Sequence, residues 1–120
     1  MKKIFALALA LLVVFPVAPA FAHAQLDGAS PKANVKLVKA PTQIKLTFDD
    51  DLIELTDANT IQVTNSKRQR VDLNNSKVLG NQITVGLKKL VVGSYRVTYR
   101  VLSADGHPIS ASYSFSVIKK

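Results

Sequence analysis

The chain has 120 residues, with 16 Lys or Arg against 8 Asp or Glu, and its formal net charge at pH 7 is +8. It contains no cysteine and one methionine, Met1, which excludes disulfide bonds and thiolate metal sites. The length accommodates one small domain with one core and excludes an enzyme of two lobes.

The beginning of the chain has the layout of a secretory signal peptide. Two lysines precede an apolar run over residues 4–17, and small residues stand at Ala20 and Ala22. The run is shorter than the roughly twenty residues that span a bilayer. We therefore predict a cleaved signal peptide over residues 1–22 and an exported, periplasmic domain over residues 23–120.

Beyond this segment, apolar and polar residues alternate in short runs and no helical period appears. The alternating runs are Ile44 to Phe48, Ile61 to Val63, Ile83 to Leu87, Tyr95 to Val101 and Ala111 to Val117. Proline and glycine residues punctuate the chain at intervals that leave space for about seven short strands. The pattern predicts an all-β fold, a seven-stranded Ig-like Greek-key β-sandwich or barrel.

Two segments contain patterns that predict a specific local structure. Leu90, Gly93 and Tyr95 have the Leu-x-x-Gly-x-Tyr spacing of a tyrosine corner. The alternative is an ordinary core tyrosine at the start of a strand, and either interpretation buries Tyr95. Residues 65–80 are the least patterned, and we predict exposed turns there around a short edge strand at Val71 to Leu73.

The positions of the two histidines suggest a metal site. Cleavage after Ala22 would make His23 the first residue, and its α-amine, with a pKa of ~7.7–8.0, would chelate a metal together with its imidazole. Asp105 and His107 are two apart, so a strand or a tight turn places both side chains on one face. Such a square of nitrogen and oxygen ligands suits Cu(II). The metal-free alternatives are a chance terminal residue and an ordinary loop residue.

Other residue groups give weaker indications of a metal site or of catalysis. Removal of Met1 with the signal leaves no soft sulfur ligand, so any bound copper is expected to be Cu(II), and no Cu(I) site is expected. The acidic run over residues 49–51 lacks the glycine and the terminal glutamate of a calcium loop, and a solvated strand end is the preferred interpretation. Ser103, Asp105 and His107 include the residue types of a hydrolase triad. No nucleophile elbow accompanies them, so hydrolytic activity is not expected.

The basic residues are spread along the sequence, and their main interpretation is solubility. Weak attraction to anionic membrane surfaces is the remaining alternative. Nucleic acid is not expected as a partner, because the chain is exported and shows no interleaved basic and aromatic residues. We expect a monomer.

Short motifs along the mature chain form a combined signature. In order they are His23-Ala24-x-Leu26, Ser30-Pro31, Pro41-x-x-Ile44-x-Leu46-x-Phe48, Leu90-x-x-Gly93-x-Tyr95-x-Val97, Ser103-x-Asp105-Gly106-His107 and Tyr113-x-Phe115-x-Val117. Together they resemble the CopC-type family of periplasmic copper-binding proteins, and especially its short YobA-like members.

The resemblance implies one Cu(II) bound by the terminal amine and imidazole of His23, by Asp105 and by His107, with Asp50 near the metal. It implies a role in copper sequestration, homeostasis or resistance rather than an enzyme, with an inner-membrane protein of the CopD type as candidate recipient. One alternative is a copper oxidase or monooxygenase with a histidine brace, which a carboxylate ligand disfavours because it stabilises Cu(II) against reduction. The other is a metal-free Ig-like interaction module.

Overall fold

The computed structural model describes residues 25–55 and 57–120. These residues form eight β-strands in two four-stranded sheets around a shared core. The predicted all-β sandwich is confirmed, whereas the predicted seven strands are eight in this part of the chain. No helix within it is long and apolar enough to cross a membrane. The predicted signal peptide, its cleavage site and His23 lie outside the described residues.

The strands are β1 (Leu26–Ser30), β2 (Lys36–Leu37), β3 (Gln43–Phe48), β4 (Thr60–Asn65), β5 (Lys77–Leu79), β6 (Gln82–Gly86), β7 (Gly93–Leu102) and β8 (Pro108–Val117). One sheet has the order β1-β3-β6-β5 and the other β2-β8-β7-β4. Neighbouring strands are antiparallel except β2 and β8, which are parallel. The chain crosses repeatedly between the sheets, as it does in Greek-key sandwiches.

The core is built from alternate residues of the long strands, because successive side chains of a strand point to opposite faces. Its members from β3, β4, β6 and β7 are Ile44, Leu46, Phe48, Ile61, Val63, Ile83, Val85, Tyr95, Val97, Tyr99 and Val101. The alternation in β8 is weaker than predicted, since Phe115 is buried but Ala111 is exposed. The reason is that β2 covers β8 only at its last two residues, so the first half of β8 is a sheet edge.

Tyr95 fastens the beginning of β7 to the loop that precedes it. Its hydroxyl donates to the carbonyl oxygen of Val91 at 2.6 Å and accepts from the N–H of Val91 at 3.1 Å. Its ring stacks on Phe115 with a centroid distance of 5.5 Å. These contacts confirm the tyrosine corner.

The predicted edge strand at Val71 to Leu73 is instead a segment that connects the two sheets. The N–H of Val71 donates to Val63 of β4 at 2.8 Å, and the N–H of Leu73 donates to Gly86 of β6 at 2.9 Å. Alternation in the sequence could not distinguish the two cases, because it reports a half-buried extended segment and not its partners. Residues 70–73 thus close one side of the sandwich.

Asp72 anchors this bridging segment through a buried carboxylate. Arg70 donates to both carboxylate oxygens, at 2.7 and 3.1 Å, and the N–H groups of Val63 and Asn74 donate at 2.8 and 2.9 Å. The Asp72 side chain is 0% exposed and that of Arg70 is 42% exposed. Burial by itself raises the pKa of Asp72, but these hydrogen bonds and the guanidinium charge outweigh it and hold that pKa below its usual value.

Replacement of Asp72 should destabilise the fold in a pH-dependent way. We expect Asp72→Asn to cost about 1–3 kcal/mol at neutral pH, because it leaves Arg70 without its anion while the partly exposed guanidinium keeps some hydration. Since the pKa is lowered in the folded state, this contribution is complete above pH ~4 and is lost as the pH falls through the lowered value. Urea denaturation at several pH values measures it. Asp27→Asn, at an exposed position, is the control, and an equal cost for both variants would contradict the prediction.

Candidate metal centre

The turn between β7 and β8 carries Asp105 and His107 at one end of the sandwich. The N–H of Ser103 donates to the carbonyl oxygen of His107 at 3.0 Å, and the N–H of Gly106 donates to that of Ser103 at 2.8 Å. Gly106 has a φ of 89°, a conformation that favours glycine. The sequence Ser-Ala-Asp-Gly-His therefore forms a tight turn that projects from the end of the hairpin.

Ser103 supports the Asp105 carboxylate from below. It continues the inward-facing series of β7 and is 0% exposed. Its hydroxyl donates to Oδ1 of Asp105, and the backbone N–H of His107 donates to the same oxygen at 3.1 Å. The Asp105 side chain, 27% exposed, is consequently held in one orientation at the surface of the turn.

The His107 imidazole lies against this carboxylate. Nδ1 of His107 is 3.1 Å from Oδ1 of Asp105, and the His107 side chain is 65% exposed. With metal–ligand bonds of about 2 Å, two donors at right angles on one metal ion lie about 3 Å apart. The contact thus places a carboxylate oxygen and an imidazole nitrogen at a spacing that allows both to bind the same ion.

The surroundings of Asp105 keep it ionised. The Ser103 hydroxyl is the main cause, and although desolvation acts in the opposite direction, the N–H, ring and charge of His107 add to its effect, lowering the pKa of Asp105 to about 2. The carboxylate is therefore an anion at neutral and mildly acidic pH. An anionic oxygen beside an imidazole nitrogen is a donor set that fits divalent transition metals such as Cu(II).

This pair does not form a complete site by itself. Residues 25–55 and 57–120 contain no group of three or more His, Cys, Asp or Glu residues that could hold a metal ion. A tetragonal Cu(II) site takes four nitrogen or oxygen donors in its plane. The donors predicted to complete it, the amine and imidazole of His23, lie outside the described residues.

The segment that follows β3 connects the start of the described chain to the turn. The N–H of Asp49 donates to the carbonyl oxygen of Gln25 at 2.9 Å, and the N–H of Gln25 donates to Oδ1 of Asp49 at 2.6 Å. Two residues further on, the carbonyl oxygen of Asp51 accepts from the N–H of Ala104 at 2.9 Å. Gln25 and the turn are therefore attached to the same short stretch of backbone.

A second set of contacts fixes this stretch against the end of β7. Leu52 forms a β-bridge with Ser103, and the N–H of Ile53 donates to Leu102 at 2.9 Å. The buried Asn59 amide donates to the carbonyl oxygen of Ile53 at 2.6 Å and accepts from the N–H of Leu102 at 2.7 Å. The base of the turn is thus held by a closed network of hydrogen bonds.

Of the predicted site residues, Asp105 and His107 are brought together, and His23 lies outside the described residues. The Asp50 carboxylate is exposed and accepts from the N–H of Asp51 at 2.8 Å. Its position near a metal therefore remains a prediction. The supporting role of Ser103 was not predicted, although its inward-facing position in the alternation of β7 indicates it. That of Asp49 was not predicted either, because no local pattern indicates it.

The chain matches one family of known proteins over most of its length. The profile described as the CopC domain matches residues 26–118. The chain belongs to the CopC family. The predicted resemblance is thereby confirmed, and so is the prediction that the chain is not an enzyme, since the related proteins are named for copper transport and resistance.

Individual CopC relatives match most of this chain. The copper transport protein CutJ of Bacillus subtilis is 36% identical over 115 residues, which cover 92% of this chain and 21% of that protein. The chain thus spans about a fifth of CutJ. Copper resistance protein C of Xanthomonas campestris is 35% identical over 109 residues, 83% of this chain and 84% of the relative. Protein YobA of Escherichia coli is 32% identical over 115 residues, 92% and 91% of the two chains.

Solved structures of the CopC family share the fold. CopC from Methylosinus trichosporium superimposes with a TM-score of 0.73 at 31% identity, over 81% of this chain and 95% of that one. PcoC from Escherichia coli, described as a methionine-rich copper resistance protein, gives a TM-score of 0.64 at 28% identity, over 80% and 99%. In contrast to that description, the present chain has one methionine.

Loss of the Ser103 hydroxyl should change the acidity of Asp105. We expect Ser103→Ala to raise the pKa of Asp105 from about 2 part of the way to its ordinary value, because the hydrogen bond with the largest effect is lost while those from His107 remain. An NMR titration of the Asp105 side-chain carboxyl carbon in metal-free protein measures the shift. Ser110→Ala, on the exposed face of β8, is the matched control. An unchanged pKa in Ser103→Ala would contradict the assigned role.

Proposed function

We propose that the exported and processed chain binds one Cu(II) ion and acts in periplasmic copper sequestration, homeostasis or resistance. The ligands are the terminal amine and imidazole of His23, the Asp105 carboxylate and the His107 imidazole. Membership of the CopC family, whose relatives are named as copper transport and copper resistance proteins, supports copper as the metal.

One observation supports this set of ligands. The start of the described chain and the turn are both hydrogen-bonded to the same short backbone segment, residues 49–51. Gln25 is hydrogen-bonded to Asp49, and the turn is hydrogen-bonded to Asp51. His23 is two positions before Gln25, and two residues of extended chain span at most about 7 Å. The attachment of Gln25 to this segment therefore supports the proposal that a processed terminus at His23 reaches the turn.

The chemistry of these donors favours Cu(II) over the alternatives. Copper exceeds the other divalent first-row metals in affinity for a nitrogen and oxygen site. The Asp105 anion stabilises Cu(II) relative to Cu(I), and the only methionine, Met1, would leave with the signal peptide. A site of this kind stores or carries the ion without changing its oxidation state.

The exposure of the turn suits transfer of the ion to another protein. The His107 side chain is 65% exposed, so an incoming ligand can approach the metal without unfolding the domain. We propose an inner-membrane protein of the CopD type as recipient, as the resemblance implies. The domain itself acts as a monomer in this proposal.

Blocking the terminal amine should abolish tight binding. We expect one alanine added before His23 to lower Cu(II) affinity by more than roughly a hundredfold, because the amine then belongs to another residue and the two-nitrogen chelate is lost. Competition against a chelator of known affinity measures the loss, and native mass spectrometry gives the metal-to-protein ratio. An alanine added after Lys120 is the control.

Unchanged affinity of the chain extended before His23 would refute the role of the amine. His107→Ala tests the other end of the site, where we expect a comparable loss. If neither change affects binding, copper is held elsewhere and the turn has no part in it. If the processed protein binds no Cu(II) at all, the proposed function is wrong.

The contribution of Asp105 should not depend on pH in the mildly acidic range. Affinity falls with pH in every variant because protons compete for the amine and the imidazoles. Since a pKa of about 2 keeps Asp105 ionised, we expect Asp105→Asn to lower affinity by the same factor, roughly tenfold to a hundredfold, at pH 5 and at pH 7. Isothermal titration calorimetry at both pH values checks this. A loss that disappears at the lower pH would show that Asp105 is already protonated there.

A further inference from the structure

The two ends of the sandwich have opposite charge. The end that carries the turn over residues 103–107, here called the turn end, collects seven of the eight acidic residues: Asp27, Asp49, Asp50, Asp51, Glu54, Asp57 and Asp105. The eighth, Asp72, lies toward the opposite end, where it forms a β-bridge with Leu87, and its carboxylate is buried and paired with Arg70.

Strand register gathers four separate parts of the chain at that opposite end, here called the basic end. Gly93 pairs with Val117, which places the loop over residues 88–92 beside the residues that follow β8. The N–H of Ile118 donates to Leu37 at 2.8 Å, which adds the turn after β2. Asn65 pairs with Tyr95 near the start of β7, so the turn over residues 66–69 also reaches this end.

These segments bring together cations that are far apart in the sequence. Half of the 16 basic residues are here, all exposed: Lys36, Lys39, Lys67, Arg68, Lys88, Lys89, Lys119 and Lys120. The ion pairs among residues 25–55 and 57–120 are Arg70 with Asp72 and His107 with Asp105. The cations of the basic end are therefore not neutralised by carboxylates within that part of the chain.

Exposed aliphatic side chains lie among these cations. Val38, Val91, Val92 and Ile118 are 58%, 69%, 57% and 38% exposed. They sit on the same three adjacent segments that carry Lys36, Lys39, Lys88, Lys89 and Lys119. A cluster of exposed apolar residues surrounded by charge of one sign marks a binding surface rather than ordinary solvated surface.

We propose that the basic end docks on the surface of an anionic phospholipid bilayer. The lysines neutralise the headgroups, each worth roughly a fivefold gain in binding, and the four aliphatic side chains enter the interface. Charge complementarity selects this occupant, because an anionic, partly apolar surface matches both components of the basic end. The acidic turn end is repelled by the same surface, which orients the molecule.

This orientation has a geometric result. The β7–β8 hairpin is ten residues long and runs from the basic end to the turn end. At roughly 3.3 Å per residue, it holds the turn about 30 Å from the lipid surface. Docking goes beyond the proposed copper role and does not depend on it, since none of the docking residues is a proposed ligand.

Vesicle co-sedimentation of the processed protein tests the docking. We expect binding to phosphatidylcholine vesicles that contain about 30% phosphatidylglycerol, little binding to pure phosphatidylcholine, and a steep loss between about 50 and 500 mM salt. Lys88→Gln with Lys89→Gln should lower the partition coefficient roughly 25-fold. Lys77→Gln with Arg100→Gln, an equal charge change outside the basic end, is the matched control and should have a much smaller effect.

The aliphatic contribution and the orientation need their own measurements. Val91→Ser with Val92→Ser leaves the charge unchanged and should weaken binding several-fold, while circular dichroism verifies that the fold is intact. In nanodiscs with a paramagnetic lipid, we expect NMR signals of residues 36–39, 88–92 and 117–119 to broaden and those of residues 103–107 to stay sharp.

Several results would overturn the proposal. Docking by the basic end would be contradicted by equal binding to both kinds of vesicle or by an equal loss of binding in the two lysine and arginine double variants. Broadening of the NMR signals of residues 103–107 would also contradict it. If the protein binds no vesicles but self-associates in a way that Lys88→Gln with Lys89→Gln abolishes, the occupant is the acidic end of a second copy. Equilibrium sedimentation without lipid detects that outcome.

Discussion

The pairing of β7 with β8 is the constraint on which the rest of the structure depends. Ten residue pairs connect the strands, from Gly93 with Val117 to Leu102 with Pro108. Because side chains alternate along a strand, a slip of one residue would turn the buried face of β7 outward and expose its tyrosines and valines. The same register puts Ser103 beneath the turn and, at the other end, brings Gly93 to Val117 beside Ile118. The metal-binding and membrane-docking proposals therefore concern two ends of one hairpin.

Much of the fold could be predicted because its strongest signals are local. Alternation over four or more residues located the long strands, and Leu90, Gly93 and Tyr95 indicated the tyrosine corner from spacing alone. β2 and β5 have two and three residues, too few for a period of two to be recognised. The prediction of an edge strand at Val71 to Leu73 was wrong for another reason. This segment pairs with Val63 and Gly86, and no local pattern specifies those partners.

The candidate site divides in the same way between local and distant information. Asp105 and His107 are two residues apart, so their proximity follows from either a strand or a turn. Asp49 holds Gln25 across 24 residues, and Asn59 holds Leu102 across 43. Asp49 and Asn59 form these contacts with backbone groups. From the sequence alone, any polar side chain could be the partner of such a group. The cations of the basic end looked scattered for the same reason, since only the strand topology collects them.

The segment over residues 70–73 also protects the protein from association with other extended chains. β4 is the outermost strand of its sheet, and an uncovered outer strand offers a row of unpaired N–H and C=O groups as a template for intermolecular strand addition. Val71 occupies part of that row through its hydrogen bond to Val63, and Asp72 fastens the cover through its carboxylate. A single buried anion thereby serves colloidal solubility as well as folding, because its release would expose the edge of β4 to pairing with strands of other molecules.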